Sequence, residues 1–271
     1  MIQHDASYHL WAPAAKKKWC LITSLDDHSR FILYAKLIEQ ESSWTHIEAL
    51  RSVVLQWGSP YQYYTDCHSI FRYVKHRDQL HHTFTKFTDD VDPQWRQILK
   101  DCGIKPVPAL SPQAKGKIER PYRWMQDHLI RSCVRENVKD IHHGQKILDR
   151  EIKHYNFKQI HSTIEEIPYR RFQRALDQKK TLFVSFKIPK PFLLPKDIFC
   201  LRSTGLVDNY RTITLGGMKF KLNWDDTRVA VEIRIYPLSI SLVELRFWFK
   251  DQLIDVRKVK KSDLKLSRFQ L

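Results

Sequence analysis

No run of about 18 apolar residues occurs in this chain, so nothing in it reads as a transmembrane helix. The opening residues, MIQHDASYHL, lack the basic-then-apolar order of a secretory signal, so a cytoplasmic protein without a membrane partner is expected. Internal repeats and low-complexity tracts are absent, which leaves out solenoids and disordered arrays. Cysteines at metal-binding spacing are missing too. Cys20, Cys67, Cys102, Cys133 and Cys200 never form C-x-x-C, so they are expected to be reduced thiols and not a disulfide or zinc framework. The 13 histidines do not supply such a site, because His81-His82 and His142-His143 are adjacent pairs and not the i, i+4 pairs of a helical zinc site.

Positive charge is what the chain has in excess. Across 271 residues, 46 Lys and Arg stand against 30 Asp and Glu, a net of +16. A surplus of this size repels itself unless a polyanion is the usual partner, which makes nucleic acid the first candidate. The excess is spread along the chain: residues 180–271 hold 18 basic and 9 acidic residues, and the rest holds 28 and 21. With 42% hydrophobic residues there is still enough apolar material for a packed core.

Patterning divides the chain into two regions. Residues 1–9, 19–25 and 31–38 read as strands joined by short turns, one of them Asp26-Asp27-His28-Ser29. A helix follows, capped by Ser42 or Ser43 and stopped at Gly58, with Trp44, Ile47, Leu50, Val54 and Trp57 at helical spacing. Residues 61–67 read as a strand ending in Asp66, 95–103 as a helix, 104–110 as a proline-bearing strand, 115–137 as a long helix, and 140–176 as helix broken near Pro168. Residues 68–92 show no period. Pro189, Pro191 and Pro195 mark an extended linker over 177–197. Beyond it, alternating segments such as MKFKL, RVAVEIRIY and LVELRFWFK predict a small all-β domain over 198–266, a five-stranded barrel.

Three acids stand where a converging site is conceivable: Asp5 in the first strand, Asp66 at the end of the fourth, and Glu119 early in the long helix, 61 and 53 positions apart. Carboxylates on neighbouring strands and a nearby helix are what a pair of hard divalent ions requires. Each acid alone has an ordinary reading, as a surface, turn or helix-start residue. Asp26 and Asp27 compete with Asp5 for the first position.

The segments QHDASYHLW, DDHSR before FILYAKL, LQWGSP, YYTDCHSIF and SPQAKGKIER followed by PYRWMQDHL together resemble the integrase catalytic core shared by retroviral integrases and bacterial insertion-sequence transposases. The resemblance covers about residues 1–170, and S-P-Q-x-K-G-x-x-E-R is its most specific piece. It implies an α/β fold, a ribonuclease H-like mixed sheet flanked by helices over residues 1–176. It implies that Asp5, Asp66 and Glu119 are the catalytic acids and hold two Mg²⁺ or Mn²⁺ ions. It further implies in-line attack by water or a DNA 3′-hydroxyl on a phosphodiester, on transposon ends and target DNA, by a homo-oligomer assembled on DNA in a nucleoid-associated setting. Lys115, Lys117, Arg120 and Arg123 around Glu119 are then placed for phosphate contact, and Lys219, Lys221, Arg257, Lys258, Lys260 and Lys261 for sequence-tolerant DNA binding. His68 matches a polar position beside the second acid.

Departures from the family pattern are a long gap between the second and third acids, ascribed to a flap at 68–92, and Pro121 two residues after Glu119. Only four residues precede Asp5, so the helix-turn-helix that relatives carry there is expected to be missing, and with it the choice of transposon ends. Two other readings stay open: a ribonuclease H-like nuclease that hydrolyses without joining, and a truncated or adapted transposase acting as a non-catalytic DNA-binding protein.

Overall fold

The computed structural model describes residues 1–65, 94–108 and 116–265, with the backbone alone for 116–120. Two compact units emerge, one of Met1–Glu41 with Ala49–Phe186, the other of Ser42–Glu48 with the chain from Lys187 onward.

The first unit holds strands β1 (Ile2–His9), β2 (Trp19–Asp26), β3 (Ile32–Ile38), β4 (Gln62–Thr65) and β5 (Lys105–Pro108), with helix α1 (Ser43–Trp57) from Ala49 onward and helices α2 (Gln94–Asp101), α3 (Gly116–Arg135), α4 (Ile141–Phe157) and α5 (Pro168–Asp177). The strands form one sheet in the order β3-β2-β1-β4-β5. The first three are antiparallel, and β4 and β5 run parallel to β1. This is a mixed sheet flanked by helices, in the element order expected from the sequence. Every residue of β2 is buried, as a strand covered on both faces must be. Its alternation sorts the two layers: Trp19, Leu21 and Leu25 enter a core with Tyr122, Met125, Leu129, Leu148 and Tyr155 of α3 and α4, while Cys20 and Ile22 meet Ala49 of α1.

Boundaries shift for local reasons. The break expected near Pro168 falls before it: α4 ends at Phe157 and Pro168 opens α5, the first-turn position in which its fixed φ and missing N–H cost nothing. Pro121 lies inside α3 and not at its start.

An exposed edge strand invites pairing with other chains, and β3 is such an edge. Here α4 supplies the partner. Asn156 donates to the Ile32 carbonyl and accepts its N–H, both at 2.9 Å, and Gln145 accepts the Leu37 N–H at 2.8 Å. Asn156→Ala leaves two buried backbone groups unpaired at about 1–3 kcal/mol each, so an expected loss of about 2–4 kcal/mol is checked by urea unfolding. A loss below about 0.5 kcal/mol, the scale of an ordinary surface change, would remove this edge-closing role.

In the second unit, β6 (Leu201–Leu206), β9 (Ala230–Pro237), β10 (Leu242–Phe249) and β11 (Gln252–Lys260) make an antiparallel sheet in the order β11-β10-β9-β6, and β7 (Thr212–Leu215) and β8 (Met218–Lys221) form a separate hairpin. The five-stranded barrel expected from the sequence is not found: among the described residues β6 and β11 are open edges and no pairing closes the sheet. The strand over 252–260 was hidden by its three cations and one acid, which blur the period-2 signal. Ile198, taken as strand, ends the short helix α6 (Pro195–Ile198).

One face of this sheet is apolar, with Val231, Ile233, Ile235, Val243, Leu245 and Phe247 fully buried. The opposite face carries Arg234, Glu244 and Arg246, also buried. The proline-bearing segment lies over them. Arg246 Nε donates to Asp197 Oδ1, Arg246 also bonds Glu244 at 2.9 Å, and Lys196 reaches Glu244 at 2.6 Å. Arg234 donates to the Asp197 carbonyl and lies 4.4 Å from the Phe192 ring centroid. Part of the expected linker is therefore a lid on the sheet.

Candidate active site

Asp5 sits at mid-strand in β1, half-buried, opposite Thr23 of β2. Directly opposed residues share a sheet face, so Asp5 lies on the face from which Thr23 meets α3. The contact is explicit. The Thr23 hydroxyl donates to Tyr122 Oη at 2.8 Å, and the Tyr122 hydroxyl donates to the Asp5 carbonyl at 2.8 Å. Tyr122 is buried in the α3 side of the core. Burial first, then the Asp5 carboxylate, holds its phenol well above the ordinary range.

On the other face, His4 Nδ1 lies 2.9 Å from Ser24 Oγ, which lies 3.0 Å from Tyr63 Oη. The His4 ring stacks on Trp95 at 5.1 Å between centroids. This buried polar group ties β1, β2, β4 and α2 together and fixes β4 beside β1, with Ile2 opposite Tyr63 and Gln3 opposite Tyr64.

Glu119 belongs to α3, one helical turn before Tyr122; its side chain lies outside the described residues, as do those of Lys117 and Arg120. Asp66, His68, Lys115 and the expected flap at 68–92 lie outside them entirely. Asp66 nevertheless follows Thr65, the last residue of β4. Among the described residues no three His, Cys, Asp or Glu side chains gather as a metal cluster. Asp26 and Asp27 are occupied in the β2–β3 turn. Asp26 Oδ2 accepts from the Ser29 N–H and hydroxyl at 2.9 and 2.6 Å, and Asp27 Oδ1 accepts from Gln3 at 2.6 Å.

Burial, then the charge of Glu41, then that of Asp5 push the Cys20 thiol up to about 12.

Of the proposed DNA-contacting cations, Arg123 is exposed on α3. Lys219 and Lys221 are exposed on β8, and Arg257, Lys258 and Lys260 on β11. Arg257 donates to the Lys221 carbonyl at 3.4 Å and pairs with Asp255 at 2.8 Å, which brings the two basic strands together. The neighbouring aromatics Phe220, Phe247 and Trp248 are buried, so they fill the core and offer no face to a base.

No protein-family model matches the chain. Curated relatives do. A putative transposase of Sinorhizobium fredii is 30% identical over 156 residues, covering 58% of this chain and 32% of the relative. The transposase for an insertion sequence of Streptococcus pneumoniae is 28% identical over 156 residues, with the same shares.

Over those 156 residues the chain is similar to two transposases.

It spans about a third, 32%, of the length of these relatives. Among solved structures, the HTLV-2 integrase catalytic core domain in complex with magnesium is 14% identical at a TM-score of 0.44, covering 63% of this chain and 93% of that one. A chain of the simian T-cell lymphotropic virus intasome is 11% identical at 0.44, covering 95% and 77%. Likeness at this level adds nothing to the sequence match. No helix among the described residues is long and apolar enough to cross a membrane.

Proposed function

We propose that this chain is the catalytic part of a DNA transposase or integrase, cleaving and joining DNA by metal-dependent in-line phosphoryl transfer, with Asp5, Asp66 and Glu119 as ligands of two Mg²⁺ or Mn²⁺ ions. The observation that carries the reading is the hydrogen bond from Tyr122 to the Asp5 carbonyl, which joins the helix of Glu119 to the strand of Asp5. Equal offsets support the second acid: Asp5 and Asp66 each stand two positions in sequence beyond the parallel pair Gln3 and Tyr64.

The donor set fits the ions. Three carboxylates are hard oxygen ligands, which suit Mg²⁺ and Mn²⁺ and disfavour softer metals. When bound, such ions supply positive charge to the attacking and leaving oxygens. The chain's own residues position and neutralise. Asp5 is held on a strand fixed on both sides, while Lys115, Lys117, Arg120 and Arg123 fall within nine positions around Glu119 and contact DNA phosphates. Lys219, Lys221, Arg257, Lys258, Lys260 and Lys261 hold the backbone of transposon-end or target DNA, in a homo-oligomer on paired ends. Residues 1–176 are the catalytic core and 198–266 the DNA-holding part.

Cleavage and joining are expected only with Mg²⁺ or Mn²⁺ present; full activity in excess chelator would sink the metal mechanism. Strand-joined products, and not cut DNA alone, separate this reading from a hydrolytic nuclease on the same fold.

DNA binding without sequence preference is expected to weaken steeply with salt, because +16 of net charge releases counterions on contact. The logarithm of the binding constant should fall against log salt with a slope of about −0.9 per neutralised phosphate. An isotherm unchanged between low and moderate salt contradicts the phosphate contacts.

A further inference from the structure

We infer that the Tyr122 hydroxyl is a positioning group, fixing the backbone of β1 at Asp5 to α3 at the turn that follows Glu119. The inference rests on the reading of Asp5 and Glu119 as metal ligands. Its basis is geometry. The described pairing of β4 on β1 ends at Gln3 and Tyr64, and two residues further on the Asp5 carbonyl takes its hydrogen bond from a helix instead. Tyr122 Oη is doubly engaged, accepting from Thr23 and donating to Asp5, each at 2.8 Å, with the Leu21 carbonyl a further 3.4 Å neighbour. Thr23 is also the cross-strand partner of Asp5. One hydroxyl thus joins the strand bearing the first acid, the strand opposite it and the helix bearing the third.

A phenylalanine would satisfy the core equally well. Tyr122 is packed among Leu21, Leu25, Met125 and Leu129, and burying an oxygen there is unfavourable unless its partners are fixed. The hydroxyl is therefore explained by what it holds. Rotation or sliding of α3 along the sheet changes the separation of Asp5 from Glu119, and the two bonds at Tyr122 oppose both motions. Groups that orient metal ligands from behind typically change metal affinity or activity by about 10–100-fold when removed.

The test compares wild type, Tyr122→Phe, Thr23→Val and Asp5→Asn in the full chain. Free Mn²⁺ is read by electron paramagnetic resonance during titration, and folding by thermal unfolding. Tyr122→Phe is expected to fold with a modestly lowered unfolding midpoint, since Thr23 and the Asp5 carbonyl lose a partner, and to weaken Mn²⁺ binding by about tenfold or more. Thr23→Val should act in the same direction with a smaller effect, and it carries the test if Tyr122→Phe does not fold. Asp5→Asn should weaken binding most. Wild-type Mn²⁺ affinity in both Tyr122→Phe and Thr23→Val, with binding lost in Asp5→Asn, overturns the positioning role and leaves the ligand assignment standing. Wild-type affinity in Asp5→Asn overturns the ligand assignment itself.

Discussion

Asp197→Ala is expected to destabilise the C-terminal unit by about 3–5 kcal/mol, the usual result of removing one partner from a buried charge pair. Asp197 is fully buried. Its Oδ1 takes the Arg246 Nε–H, and its Oδ2 takes the N–H groups of Leu193 and Leu194 at 3.0 and 2.8 Å. One carboxylate therefore neutralises an arginine on the inner side of the lid and closes the turn that forms it. Alanine leaves that arginine without its Asp197 partner and two backbone donors without acceptors. Against a typical stability of about 5–15 kcal/mol, such a loss is large. Glu244 still meets Arg246 at 2.9 Å, which sets the expectation at a few kcal/mol and not at complete unfolding. Urea unfolding followed by tryptophan fluorescence reads the effect, since Trp248 lies beneath this segment, 5.8 Å from Phe192 between ring centroids. Asp197→Asn should fall between alanine and wild type, because it keeps an acceptor and loses the charge. A stability for Asp197→Ala within about 0.5 kcal/mol of wild type, the range of surface substitutions, would show that the lid is held by its aromatics alone.

The sheet of the first unit was legible because its residues obey simple periods. The β1–β2–β3 run stands out as short β-rich segments between turn signals, and α1 carries an unbroken helical stripe closed by Gly58, whose φ of +95° is what glycine tolerates best. Tyr122 was legible as an apolar stripe residue on α3, but its hydroxyl's partners were not. They are Thr23 and Asp5, 99 and 117 positions away, and no local pattern encodes a contact at that range. The second unit was misread for a related reason. Arg234, Glu244 and Arg246 made β9 and β10 look like strands with one wet face. That face is in fact closed by Asp197 and its neighbours, so the proline run is part of the fold. The candidate acids came from their resemblance to a family pattern. Geometry adds the placement of Asp5 and of the helix of Glu119, which spacing alone could not supply.

Asp5→Asn is expected to lower DNA cleavage and joining by more than about a hundredfold, since removing even a group behind a metal ligand costs about 10–100-fold. The change removes one negative charge and keeps side-chain shape, on a strand whose fold is secured by its pairing to β2 and by the His4–Ser24–Tyr63 group. DNA affinity should be unchanged, because it comes from cations spread over the chain and not from the acid. Asp66→Asn and Glu119→Gln are expected to behave alike. The most direct test is strand joining by the wild-type chain and these three variants on one labelled duplex in Mg²⁺, with binding isotherms measured at the same salt. The account predicts joined product from wild type only, and four superimposable isotherms. Joining at the wild-type rate by any of the three variants would contradict it.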